Sequence, residues 1–72
     1  MKPGDLVRNR VTVSIFPVHP REGKGIASGH EIPGSTFLVL DWPGGTWAKL
    51  LHGDRIVWCN VNCFEVMNSE AR

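Results

Sequence analysis

Cys59 and Cys63 stand four residues apart, His52 precedes them, and His19 and His30 lie further upstream. Two thiolates and two imidazoles are the donor set of a tetrahedral zinc site, and a small domain gains stability from one. The spacing argues against it. Structural zinc sites usually pair one Cys knuckle with a second Cys or His pair at similar spacing, and this chain has no such second pair. The expectation is two reduced cysteines packed as small apolar side chains, with no metal and no cofactor. Should zinc bind, His52 is the first further ligand expected, because it sits just across a hairpin from Cys59.

Three tryptophans in a chain without tyrosine are the next candidates. Trp42 and Trp47 flank Pro43-Gly44-Gly45, and Trp58 stands near the end of the strand that follows. Aromatic rings at strand ends beside loops line grooves that grip an extended peptide or stack a base. They also cap open barrel ends and fill cores. Trp58, in step with Ile56, is read as core, whereas Trp42 and Trp47 fit either role.

The basic residues Arg8, Arg10, Arg21, Lys24, Lys49 and Arg55 form a phosphate-attracting stripe if the first strand lies beside the late hairpin. Against that, seven acidic residues leave a formal net charge of +1, too little for a strong long-range field. Solvated strand faces account for Arg8 and Arg10 equally well. Catalytic signatures are missing: Ser14, Ser28 and Ser35 sit in no Gly-x-Ser-x-Gly elbow, and there is no His-Glu-x-x-His helix. Gly23-Lys24-Gly25 is too short for a phosphate loop, and turn geometry explains its glycines. No enzyme is expected.

The elements that position these residues are strands. Asp5 to Val13 alternates Val7, Val11 and Val13 on one face with Arg8, Arg10 and Thr12 on the other, Asn9 being the inward exception. Ser14 to Gly34 holds Pro17, Pro20 and Pro33 with four glycines, so it is a long loop with one short strand at Gly25 to Ser28. Thr36 to Trp42 follows, where Phe37-Leu38-Val39-Leu40 is apolar on both faces and is expected to be the most buried strand. Trp47 to Leu51 and Arg55 to Cys59 flank the turn His52-Gly53-Asp54, the clearest hairpin in the chain. Asn60 to Cys63 suits one 3₁₀ turn before a last strand, Phe64 to Met67. The expected core is Val7, Val11, Phe37, Val39, Leu50, Ile56, Trp58 and Val66.

Five short strands, a long early loop, a tight late hairpin and a 3₁₀ turn before the last strand are the order of an SH3-like barrel. The 72 residues, 42% hydrophobic and 21% charged, suffice for one such domain over 1–68 with a fraying tail at 69–72. A domain this small buries little surface, which leaves self-association open. The opening MKPGDLVRNR lacks the apolar core of a secretory signal, and no apolar run approaches a membrane span of about 20 residues. The expected location is the cytoplasm.

Met1-Lys2-Pro3-Gly4-Asp5-Leu6-Val7-Arg8, Gly53-Asp54-Arg55-Ile56-Val57-Trp58-Cys59 and Phe64-Glu65-Val66 resemble small SH3-like proteins of tailed phages of marine bacteria and cyanobacteria. Those proteins start on a Gly-Asp-hydrophobic-Val step and close on Gly, Trp and Glu-Val. The likeness covers about half the chain. It implies a fold and a phage source, hence the host cytoplasm, and it brings no activity and no site residues. The Pro-rich loop here departs from the more compact pattern.

The function expected from these features is binding rather than catalysis. The leading expectation is a protein partner held between the loop Ile15 to Gly34 and the Trp42/Trp47 turn, since long loops on a rigid barrel are where binding residues usually sit. The alternative is a nucleic-acid-binding barrel using Arg8, Arg10, Lys49 and Arg55. No membrane partner is expected.

Overall fold

Period-2 alternation produces an all-β chain in the computed structural model, which describes residues 1–23 and 25–67. The strands are β1 (Leu6–Asn9), β2 (Val13–Ile15), β3 (Gly29–Glu31), β4 (Thr36–Asp41), β5 (Trp47–His52), β6 (Arg55–Asn60) and β7 (Phe64–Val66), with a 3₁₀ turn at Val61–Cys63. Five of them pair antiparallel in the order β6-β5-β4-β1-β7, while β2 and β3 form a separate ribbon. Among the described residues the expected five strands are therefore seven, in two sheets, neither closed on itself. Lys24 and the tail 69–72 lie outside the described residues.

One further strand comes from a break in the expected first strand, and the other is the short strand expected within the loop, displaced along the chain. The expected first strand parts at Arg10 to Thr12 because Asn9 is buried and its side chain gathers backbone from elsewhere. Its Nδ2 donates to the carbonyls of Val11, Glu31 and Ile32 at 3.0, 3.1 and 2.8 Å, and its Oδ1 accepts from the Ser35 amide at 2.8 Å. One amide group thus ties β1 to the end of β3 where no ladder joins them. The strand expected at Gly25 to Ser28 forms later, at Gly29–Glu31. Gly25 has φ +68°, outside the extended region.

At the other end of the ribbon, Phe16 exchanges two backbone hydrogen bonds with Trp58 of β6, at 3.0 and 2.7 Å. The ribbon consequently continues the large sheet past β6 and folds over it. The hairpin joining β5 to β6 has two central residues, Gly53 and Asp54. Gly53 has φ +65° and no non-glycine residue among those described has positive φ, which is the type II′ pattern that matches strand twist.

Between the sheets lie Val7, Val13, Ile15, Phe37, Val39, Ala48, Leu50, Val57, Cys59 and Phe64. Phe37 meets Phe64 edge to face at 5.0 Å. Four expected core residues are elsewhere. Val11 is 52% exposed because the break after Asn9 turns it out, and Val66 keeps an inward register opposite Val7 but sits on the edge strand. Ile56, also 52% exposed, and half-buried Trp58 face outward, because β6 turns Val57 and Cys59 inward. A one-residue difference in phase exchanges the two faces of a strand. On β4, Phe37 and Val39 are buried while Leu38 and Leu40 are only half-buried, so this strand too has one open face.

Candidate binding groove

The turn between β4 and β5 is held by its own sequence. Gly44 and Gly45 have φ +97° and +98°, a region side-chain-bearing residues avoid, and the Trp42 indole Nε1 donates to the Gly45 carbonyl at 3.0 Å. Trp42 otherwise packs half-buried against the core, so its role is to shape the turn. Trp47, five residues on, points to the outer face of the sheet, since its neighbour Ala48 is buried.

The early loop returns to this corner. Phe16 lies edge to face with Trp47 at 5.3 Å, and the His19 ring stands over Trp58 at 4.8 Å and Trp47 at 6.4 Å. Cross-strand pairing brings Trp58 opposite Lys49, one diagonal step from Trp47. Four rings from three stretches of chain thus form one aromatic corner. His19 is locked there by its own backbone: its Nδ1 accepts the Arg21 amide at 3.0 Å, and the amides of Glu22 and Gly23 donate to its carbonyl at 2.8 and 3.0 Å.

Against this corner opens a groove of about 170 Å³, lined by His19 and Arg21 on the loop side and by Pro43, Gly44, Gly45, Thr46 and Trp47 on the turn side. Ligand pockets for drug-sized molecules run from roughly 300 to 1,000 Å³. This one has room for a single side chain. Its walls offer an indole face, a guanidinium on an exposed stem and glycine backbone. The only hydroxyl in the lining is Thr46. The sequence offered His19 as a zinc donor and Arg21 as part of a basic stripe; the aromatic pairing across the fold is what makes them wall residues.

The six candidate binding residues do not gather in one site. Arg8 faces out from β1 and is bonded to Glu65 on β7 through Nε and Nη2, the former at 2.9 Å. Arg10 donates to the Asn62 carbonyl at 2.8 Å. Lys49 lies beside Trp58 on the outer face. Arg55 pairs with His52 at the far end of the hairpin, five residues of about 3.3 Å, hence about 16 Å, from Trp47. Of the candidates, Trp47 and Lys49 stand near the corner, Trp42 supports it from behind, and Arg8, Arg10 and Arg55 are elsewhere.

The cysteine and histidine candidates are also apart. Cys59 is opposite Ala48, four residues of about 3.3 Å along β5 from His52, whereas ligands of one zinc lie within about 4 Å of each other. His52 stacks on Phe37 at 4.4 Å, bonds the Thr36 carbonyl through Nδ1 at 3.0 Å and meets Glu31 at 3.4 Å. Burial pushes the Cys59 thiol up to about 12, with Cys63 and Glu31 adding to the same direction. Among the described residues no three His, Cys, Asp or Glu side chains converge as a metal site.

No protein family, curated protein or solved structure matches this chain. Among the described residues no helix is long and apolar enough to cross a membrane.

Proposed function

We propose that the chain is a non-enzymatic binding domain of SH3-like organisation whose groove at His19, Arg21 and Pro43 to Trp47 takes an extended segment of another protein. The SH3-like reading is supported by the placement of the last strand beside the first, after a tight hairpin and a 3₁₀ turn. One observation carries the function: a loop and a turn meet over a four-ring aromatic corner and leave a cleft the size of one side chain. Rigid aromatic walls give binding area at low entropic cost, and a guanidinium at the rim selects a carboxylate or carbonyl. A protein partner is favoured over nucleic acid because Arg8 is neutralised by Glu65, Arg10 is spent on Asn62, and Arg55 lies at the far end of the hairpin.

The test is selection from a random peptide display library, followed by fluorescence titration of a selected peptide. Trp47→Ala and, at an exposed position, Arg21→Ala should each weaken binding about tenfold or more. Mixed-sequence oligonucleotides should not bind at low salt. Oligonucleotide binding that falls steeply with salt would overturn this reading in favour of a nucleic-acid partner.

A further inference from the structure

The outer face of the large sheet carries a second feature, away from the groove. Strand register sets Leu6 opposite Leu38, Leu38 opposite Leu51 and Leu51 opposite Ile56. Beyond Leu6, the Met67 amide donates to the Leu6 carbonyl at 2.8 Å, which continues the row onto the end of β7. Five apolar side chains therefore cross all five strands in one line, over four strand spacings of about 4.8 Å, or about 19 Å. Leu6, Met67 and Ile56 are 39, 42 and 52% exposed, and Leu38 and Leu51 are half-buried. An antiparallel sheet with one face in water normally turns polar residues outward. Among the described residues this line is open.

We infer that this stripe is the contact between two copies of the chain, packed sheet to sheet about a two-fold axis. A face-to-face partner must match the twist of the sheet, and a second copy has the same twist. Both flanks of the stripe carry both signs of charge, Arg8 with Glu65 on one side and Lys49 opposite Asp41 on the other. Neither flank repels its own image, and a net charge of +1 does little to oppose association. The face measures about 20 by 20 Å, from five strands of up to six residues. Stable dimers bury about 800 Å² per partner, so a face of this size forms a small, reversible interface. The contact does not rest on the groove proposed above: Leu51 in the stripe stands four residues of about 3.3 Å along β5 from Trp47.

Sedimentation velocity of the full chain across concentrations up to about 1 mM should show a monomer–dimer equilibrium with a dissociation constant on the order of 100 µM. Ile56→Lys, at a position exposed enough to accept it, should raise that constant at least about tenfold, and Leu51→Thr should act in the same direction. Arg21→Ala, on the groove, should leave it unchanged. A single 8.0 kDa species throughout would overturn the proposal and assign the stripe to an occupant of different sequence. A dimer whose constant ignores both stripe substitutions would overturn it too.

Discussion

The two faces of the five-stranded sheet are made by alternate residues of the same strands; both carry a large apolar patch, but only one patch is closed, and charge flanks the open one. The inner face sets Val7, Phe37, Val39, Leu50, Val57 and Cys59 against the β2–β3 ribbon and excludes water. The outer face sets Leu6, Leu38, Leu51, Ile56, Trp47 and Trp58 on the same strands, covered at one corner by Phe16 and His19 and open along the stripe. Apolar character alone does not identify a core. What seals one face is the returning ribbon, held by Phe16 at one end and by the Asn9 side chain at the other.

The contrast is broken most severely from the inside. Phe37→Ala removes a fully buried ring that packs on Phe64 and His52, and should cost about 3–5 kcal/mol in chemical denaturation. Val39→Ala, on the same face, should cost about 1–3 kcal/mol. A variant with Phe37→Ala as stable as the parent would mean that this face is not the core.

The same contrast explains what the sequence made legible. β4 follows from a continuous apolar run, which did not show that its second face stays open, and β5, the hairpin and the 3₁₀ turn follow from strand and turn chemistry; Val7, Asn9, Phe37, Val39 and Leu50 turn inward as expected. The phase of β6 did not follow, because Ile56 and Trp58 are as apolar as Val57 and Cys59 and either pair satisfies a period of two. The break after Asn9 was hidden for a different reason. Its cause is a set of hydrogen bonds to residues up to 26 positions away, which no local pattern records. The groove was foreseen in outline, loop against turn. Its wall residues His19 and Arg21 were not, because only the folded loop carries them to Trp47.

Asn9 offers the next largest effect. Asn9→Ala removes four hydrogen bonds from a buried site and leaves backbone groups of β3 and of the loop after it unpaired, at a cost of about 1–3 kcal/mol. Amide exchange should rise first in residues 29–35, where the ribbon loses its tie to β1. Uniform exchange across both sheets would contradict that role.

Smaller effects come from pH. Cys59 keeps its proton to about 12 in the fold, whereas an ordinary thiol loses it near 9. The unfolded chain therefore binds fewer protons in that window, and stability should fall as pH rises from about 9 to about 12. Cys59→Ala should flatten this alkaline limb. At the acid end, Asp5 accepts from the Lys2 amide and Nζ, both at 2.9 Å, and the side-chain bond holds its carboxyl below the ordinary value of 3.8. The folded state binds fewer protons there, so this contribution is present above pH 3.8 and is lost as pH falls through the lowered value. Asp5→Asn should remove that part of the acid transition. Unchanged pH profiles in both variants would place neither group where the fold puts it.

The smallest change is also the most direct test, because it compares neighbours on one strand. At dilute, monomeric concentration, Ile56→Ala should change unfolding free energy by less than about 0.5 kcal/mol, while Val57→Ala should lower it by about 1–3 kcal/mol. That result places Ile56 on the open face and Val57 in the core, as both binding surfaces require. The reverse order, with Ile56→Ala the more damaging, would shift β6 by one residue, turn the stripe inward and contradict the account.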